Sequence, residues 1–119
     1  MPSRDTVRTF IAAVESGEHV GAIEQFYHDD ASMQENHNPP HVGRDKLVAR
    51  KRQALARSSF VTHPAKHVLV DGDLVVINWI FEITDKEGRT RKLDELSIQH
   101  WRGEKIAREQ FYYDPKQLA

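Results

Sequence analysis

The sequence contains no cysteine, which removes several classes of site at once. Disulfide scaffolds, zinc–thiolate sites and thiol nucleophiles all require that side chain. The sequence also has no apolar run as long as a membrane span or the core of a signal peptide. These absences fit a soluble domain in a reducing compartment, so we predict a cytoplasmic protein with no membrane partner.

Neither sign of charge is in excess. The formal net charge is −1, with 17 Lys and Arg residues against 18 Asp and Glu residues. The chain therefore has no overall attraction for nucleic acid or anionic lipid. One predicted helix, residues 44–57, is basic, but it lacks the interleaved aromatic residues of base-stacking surfaces. We predict no nucleic-acid partner.

The spacing of apolar residues changes halfway along the chain. Apolar residues from Val7 to Val14 follow helical spacing, and two further helices are predicted at residues 18–28 and 44–57. After residue 60 apolar residues alternate, most clearly from Val75 to Ile83, which predicts strands. Helices followed by a meander of strands indicate the α+β class. A length of 119 residues predicts a single domain over residues 1–119.

Several segments together resemble the NTF2-like fold, and within it the SnoaL-like and ketosteroid-isomerase-like branch. The segments that carry the resemblance are Phe10–Val14 with Gly17, Phe26–Met33, Gly43-Arg44, Glu104–Ile106 and Phe111–Pro115. The resemblance implies a cone of three N-terminal helices packed in a strongly curved antiparallel sheet, with a ligand pocket inside. It also implies a homodimer through the outer sheet face. Isomerases, cyclases, hydrolases, dehydratases and binding domains share this fold, so the resemblance leaves the activity open.

The ketosteroid isomerase pattern is only partly present when it is carried over residue by residue. The general base of those enzymes falls on Glu35. Their oxyanion-hole tyrosine falls on Phe10, and their oxyanion-hole acid falls on Ser97. The resemblance therefore implies a base without either of the usual donors that stabilise a dienolate oxygen. This argues against steroid isomerisation and leaves proton transfer open.

Two acids lie on the last predicted hairpin, which spans residues 93–115 and turns at Arg102-Gly103-Glu104. A three-residue turn would pair Ser97 with Glu109 and place Glu95 and Glu109 on the same face. A two-residue turn would move Glu109 to the other face, because a slip of one residue reverses every side chain. The isomerase pattern favours the first register and places that face in the pocket. The two carboxyl groups would then raise each other's pKa.

Two interpretations of the acids stay open. In one, Glu35, Glu95 and Glu109 form an acid–base group inside the pocket. In the other, Glu35 is a surface acid, and Glu95 or Glu109 forms a structural ion pair with Arg44, Arg91 or Arg108. Converging carboxylates would favour an enzyme, whereas separate ion pairs would favour a binding domain.

The seven histidines do not form a recognisable metal-binding motif. His37 and His41 flank two prolines, and His63 and His67 lie four residues apart on a predicted strand or loop. Spacing of four brings two side chains within reach of one metal ion on a helix, whereas on an extended strand it separates them by about 13 Å. We predict no metal ion and no cofactor.

The sequence predicts a SnoaL-like domain that binds a small, largely apolar carbonyl or cyclic metabolite. Its catalytic form would be a cofactor-free isomerase, cyclase or dehydratase, and the alternative is a non-catalytic ligand-binding or protein-interaction module. In the catalytic form Glu35 is the base, and Glu95 and Glu109 are the acid or orienting pair. The predicted ligand-binding residues are Phe10, Met33, Asn36, His37, Trp79, Ser97, Gln99, Phe111 and Tyr113.

Overall fold

A computed structural model of residues 1–119 begins with two short helices that form a tight corner. Helix α1 spans Arg4–Glu15, and helix α2 spans His19–Phe26. Ser3 caps α1, because its hydroxyl accepts a hydrogen bond of 3.1 Å from the backbone N–H of Thr6. Gly17 has a φ of +90° between the helices, a conformation that only glycine adopts readily. No helix of the protein is long and apolar enough to cross a membrane.

One curled sheet of seven strands follows. The strands are β1 at Tyr27–Glu35, β2 at His41–Val42, β3 at Ser58–Thr62, β4 at His67–Asp71, β5 at Leu74–Asp85, β6 at Thr90–Arg102 and β7 at Lys105–Tyr112. Helix α3, at Arg44–Arg57, lies between β2 and β3, and a 3-10 turn at Pro115–Leu118 follows β7. The strand order is β2-β1-β7-β6-β5-β3, and β4 also pairs with β5.

The predicted cone of three helices and a strongly curved sheet is confirmed, but the sheet is mixed rather than antiparallel throughout. Strand β1 runs parallel to β7, and the other strand pairs are antiparallel. The parallel pair forms because the last strand, β7, lies between its sequence neighbour β6 and the first strand, β1. This pairing places Glu35, at the end of β1, opposite Phe111.

Strand β5 supplies the apolar part of the concave sheet face. Its inward residues alternate as the sequence predicts, and four of them are buried: Val75, Ile77, Trp79 and Phe81. They pack against the helices around Phe10, which is 2% exposed. The Phe10 ring lies edge-on to four aromatic rings, with the centroids 5.5 to 6.4 Å apart. This aromatic cluster anchors α1 to the sheet.

The β6–β7 hairpin combines a short turn with a bulge. Only Gly103-Glu104 lies between the strands, and Ala107 then forms a β-bulge that shifts the register by one residue. The two-residue turn alone would direct Glu109 to the outer face, and the bulge returns it to the concave face, opposite Gln99. The predicted three-residue turn with Ser97 opposite Glu109 is therefore wrong. The two hairpin acids nevertheless share the concave face.

Candidate functional site

The helices and the concave sheet face enclose a cavity of about 480 Å³. Of its 26 lining residues, 15 are hydrophobic, so most of the interior suits an apolar ligand. Phe10, Trp79 and Phe111 form part of this apolar wall. The polar lining residues include Glu95 and Glu109, which come from neighbouring strands.

Glu109 is the most deeply buried acid of the cavity, with 1% of its surface exposed. The Tyr27 hydroxyl donates a hydrogen bond to its Oε1 atom. The Ser97 hydroxyl and Gln99 Nε2 both donate to its Oε2 atom, at 2.5 and 2.7 Å. Trp101 Nε1 donates to Gln99 Oε1 at 3.0 Å and so fixes the orientation of that amide. The carboxyl group of Glu109 is therefore held in a single orientation.

Burial raises the pKa of the Glu109 carboxyl, while the hydrogen bonds from Gln99, Ser97 and Tyr27 oppose that rise. Burial, and then the adjacent Glu109 charge, raise the pKa of the Tyr27 phenol well above its ordinary value. The phenol therefore keeps its proton and remains a donor at neutral pH. Most lone pairs of Glu109 are occupied, which makes it better suited to shape the electrostatic field than to accept a proton from a ligand.

Glu95 lies on the same face and has a different environment. Its residue surface is 7% exposed, and its carboxyl faces the cavity without a hydrogen-bond donor or an ion-pair partner from the protein. Burial first, and then the charge of Glu109, raise the pKa of Glu95 to about 8, while Lys51 opposes the rise. At neutral pH most Glu95 carboxyls are protonated. Such a group can donate a proton to a ligand and take it back.

Lys51 reaches the same cavity from helix α3. Its Nζ atom lies 5.6 Å from the centre of the Phe60 ring and has no carboxylate partner in an ion pair. Burial lowers the pKa of Lys51, and the charges of Glu95, Glu109 and Glu35 oppose that shift. The cavity therefore contains an amine as well as carboxyl groups.

Lys51 is absent from the predicted site, because basic residues around a helix with a thin apolar stripe usually form a solvated face. A local signal was present. Lys51 follows Leu47 by four residues and precedes Ala54 by three, so helical spacing places it on the buried stripe of α3. Tyr27 is also absent from the predicted site, because the predicted helix at residues 18–28 gives it a place in the core only.

Glu35 lies at the edge of the cavity and is already paired. Its Oε1 atom accepts a hydrogen bond of 2.8 Å from the Tyr113 hydroxyl, and Arg50 lies 3.7 Å from its Oε2 atom. The Glu35 side chain is 45% exposed. Burial, and then Glu35, raise the pKa of the Tyr113 phenol, which therefore remains a donor. Of the three predicted acids, Glu35 has the least buried position.

Five of the predicted ligand-binding residues do not line the cavity, and two of these, Asn36 and His37, lie outside its wall. Asn36 has a φ of +50°, and its Oδ1 atom accepts a hydrogen bond of 3.0 Å from the backbone N–H of Tyr113. This conformation turns the chain outward after β1. His37 then packs edge-on against Tyr112, with the ring centres 6.0 Å apart. Both residues support the wall from outside.

The other predicted site residues separate into two groups. Those that line the cavity are Glu35, Glu95, Glu109, Phe10, Met33, Trp79 and Phe111. Ser97 and Gln99 lie behind Glu109 with no exposed surface, and Tyr113 supports Glu35. No group of three or more His, Asp or Glu side chains is arranged to hold a metal ion.

The predicted ion-pair alternative for the two hairpin acids is not what the structure contains. Two of the arginines considered as partners pair elsewhere, Arg44 with Asp29 at 2.6 Å and Arg91 with Asp85 at 3.5 Å. The third, Arg108, forms no ion pair and lies opposite the outward-facing His100. Neither hairpin acid therefore forms an ion pair, although the charge of Lys51, which lines the same cavity, acts on both of them.

His19 forms a neutral part of the wall. It is 5% exposed, and its ring lies edge-on to Phe60 and Phe81, with centres 5.8 Å apart in both cases. Its Nε2 atom lies 2.9 Å from Thr62 Oγ1. Burial, and then the charge of Lys51, lower the pKa of His19 to about 4, so the ring is uncharged at neutral pH.

Comparison with known families matches residues 7–109 to the SnoaL-like domain. A search of curated proteins found no match. Among solved structures, a protein from Mesorhizobium loti, provisionally assigned as a SnoaL-like polyketide cyclase, has a TM-score of 0.80 and 23% identity. The similarity covers 95% of this chain and 100% of that chain.

Two further structures extend the comparison. A Catenulispora acidiphila protein with a ketosteroid isomerase-like fold, solved with trimethylamine, has a TM-score of 0.78 and 19% identity over 94% of this chain and 87% of that chain. An epoxide hydrolase of the LEH-like type from M. tuberculosis has a TM-score of 0.78 and 14% identity over 95% of this chain and 83% of that chain. At such identities these structures establish the fold alone.

Proposed function

The chain belongs to the SnoaL-like domain family, and we propose that it is a cofactor-free acid–base catalyst of the isomerase, cyclase or dehydratase type. Its substrate would be a small, largely apolar carbonyl compound. One observation carries the proposal: Glu95 is a largely buried residue whose carboxyl opens into the cavity and has no protein partner. No fully buried side-chain oxygen lacks a partner, so the Glu95 oxygens are open to the cavity and can hydrogen-bond a ligand that enters it.

The proposed chemistry uses Glu95 in both protonation states. Its pKa of about 8 lies close to neutral pH, where a carboxyl group can accept a proton from carbon and return it to a neighbouring atom. Glu109, fixed by its donors, contributes the negative field that helps to raise this pKa. Glu35 would be a secondary base at the cavity edge, because Arg50 and Tyr113 already occupy its oxygens.

The lining supports the proposed substrate class. A mostly hydrophobic cavity of about 480 Å³ favours a compact apolar molecule, and a carbonyl oxygen would meet the protonated Glu95 carboxyl. The Mesorhizobium loti relative, provisionally assigned as a polyketide cyclase, is consistent with carbonyl chemistry on this fold. The alternative is a non-catalytic binding module, in which Glu95 would only hydrogen-bond the ligand.

Deuterium exchange tests this proposal. Cyclohexanone and 2-tetralone would be incubated with the protein in D2O, and loss of the α-proton would be followed by NMR. We expect faster exchange with the protein, and a rate that rises with pH through about 8 as Glu95 loses its proton. Replacement of Glu95 by Gln should lower the rate by about 100-fold or more. The matched control is Glu87→Gln, which removes an exposed carboxylate.

Two outcomes would change the assignment. Binding of the ketones without any exchange would favour the binding module. Exchange that is unchanged in Glu95→Gln would remove Glu95 as the proton-transfer group.

A cytoplasmic location remains a prediction of the sequence and can be examined by cell fractionation.

We further propose that the protein forms a homodimer through the outer sheet face. Leu96 and Leu69 are 44% and 68% exposed there, and Leu96 lies opposite the partly exposed Tyr112. Exposed apolar side chains that cluster on one face favour association. Light scattering should report a dimer, and the double variant Leu69→Asp/Leu96→Asp should be a monomer. Leu55→Asp, on helix α3, should leave the mass unchanged, and a wild-type monomer would refute the proposal.

A further inference from the structure

Lys51 is the one lysine, of seven in the chain, that lines the cavity. Helix α3 directs it inward, and it is partly buried between the helix and β3. Its amine lies over the Phe60 ring and forms no ion pair. A lysine on a protein surface is hydrated or paired, whereas this one faces an apolar space that fits a small molecule.

The surroundings of Lys51 favour nucleophilic chemistry. Desolvation disfavours the ammonium form, so a larger fraction of the amine is neutral than in water. A neutral amine in an apolar pocket is the form that attacks carbonyl carbon. Glu95 lines the same cavity and supplies an exchangeable proton within this space.

We propose that Lys51 forms an imine with the carbonyl group of the substrate and that Glu95 carries out the accompanying proton transfers. This inference rests on the proposed function, since it requires a carbonyl substrate. It assigns to Lys51 the covalent step and to Glu95 the proton that this step needs.

The step balances without a further reactant. The nitrogen lone pair of Lys51 forms a C–N bond, the carbonyl oxygen takes up a proton, and the nitrogen loses one. The C–O bond of the carbinolamine then breaks. Glu95 donates the proton with which the oxygen leaves as water, and a C=N bond forms. Neutral amine, carbonyl and protonated Glu95 therefore give protonated imine, water and ionised Glu95, with no change of oxidation state. The ionised Glu95 can then remove the α-proton, and hydrolysis by water reverses imine formation.

Imine formation would also make an oxyanion hole unnecessary. Phe10 has no hydroxyl, and the Ser97 hydroxyl is committed to Glu109, so neither can stabilise an enolate oxygen. A protonated imine withdraws electrons from the neighbouring carbon and stabilises the product of α-proton removal as a neutral enamine. The cavity then needs no oxyanion donors for the same overall chemistry.

Reductive trapping tests the proposal directly. The protein would be incubated at pH 7 with a substoichiometric amount of benzaldehyde and with sodium cyanoborohydride, which reduces imines to stable amines. Peptide mass mapping then gives the occupancy of each lysine. We expect at least a tenfold higher occupancy at Lys51 than at Lys46, an exposed lysine on the same helix. Equal labelling of the two lysines would overturn the proposal.

Variants separate this inference from the proposed function. Lys51→Met, which preserves length and suits an apolar wall, should lose both the adduct and ketone exchange, while Lys46→Met should keep both. Exchange that persists in Lys51→Met would overturn the imine and leave acid–base catalysis by Glu95 intact. An adduct at Lys51 without any exchange would support the amine and refute the proposed catalysis. Circular dichroism would show whether each variant is folded.

Discussion

Gln99 and Glu109 lie opposite each other across the β6–β7 hairpin, and Gln99 Nε2 donates a hydrogen bond of 2.7 Å to Glu109 Oε2. The other end of the Gln99 amide accepts a hydrogen bond from Trp101 Nε1. The indole therefore orients the amide, and the amide orients the carboxyl group. A fully buried acid is tolerated at this place because each polar atom around it has a partner.

We expect Gln99→Leu to destabilise the fold. The change removes one donor to Glu109 and leaves the indole N–H of Trp101 without its acceptor. Burying unpaired groups costs about 1–3 kcal/mol, so the free energy of unfolding in urea should fall by roughly that amount. Gln53→Leu, at an exposed position on the cavity rim, is the control and should change stability little. Equal stability of the two variants would show that the chain of hydrogen bonds is energetically unimportant.

Local signals predict the helices and the longest strand well. The Ser3 cap, the apolar spacing of α1 and the alternation along β5 all describe contacts within a few residues of each other. The bounds of α3 agree with the prediction of residues 44–57 for the same reason. Helix α2 ends at Phe26, two residues earlier than predicted, because Tyr27 already belongs to β1.

Contacts between distant segments were harder to predict. Nothing local shows that β1 pairs in parallel with β7, because the two strands are joined by most of the chain. The bulge at Ala107 also lacks a sequence signal, since neither glycine nor proline marks it. The bulge determines which side chains enter the cavity, because without it the Glu109 side chain would face solvent. The family resemblance predicts correctly that Glu109 lies on the concave face, but the three-residue turn assumed for it is wrong.

Stability should depend on pH through Glu95. Its pKa is about 8 in the folded protein against an ordinary 4.5, so the folded state holds a proton that the unfolded state loses between these values. The stabilising contribution is therefore present at low pH and is lost as the pH rises towards 8. Glu95→Gln removes this dependence. The free energy of unfolding of Glu95→Gln should therefore rise relative to that of wild type, by up to about 1.4 kcal/mol for each pH unit from pH 5 towards pH 8.

Urea unfolding at pH 5, 6, 7 and 8 would measure this difference. Glu87→Gln, which changes an exposed acid, should follow the wild-type curve. A constant difference between wild type and Glu95→Gln at all four pH values would mean that Glu95 is ionised normally in the folded protein.

His19 should produce the opposite slope at lower pH. Its pKa is about 4 in the folded protein against an ordinary 6.5, so between these values the unfolded state binds the proton and the folded state does not. Wild-type stability should therefore decline as the pH falls from 6.5 to 4, by up to about 1.4 kcal/mol per unit. His19→Gln should flatten this decline, while His67→Gln, at an exposed position on β4, should not. An unaltered acid slope in His19→Gln would assign the decline to other groups.

Asn36 joins the end of β1 to the end of β7, and a series of substitutions can separate its two roles. Its φ of +50° favours Asn, Asp or Gly, and its side chain accepts the N–H of Tyr113. Asn36→Asp keeps both properties, Asn36→Gly keeps only the backbone conformation, and Asn36→Ala loses both. We expect stability to fall in that order, with Ala about 1–3 kcal/mol below wild type in urea unfolding. The Tyr113 hydroxyl also orients the Glu35 carboxyl at the cavity edge, so the affinity for cyclohexanone should fall in the same order. If Ala proves as stable as Asp, the junction does not depend on this residue.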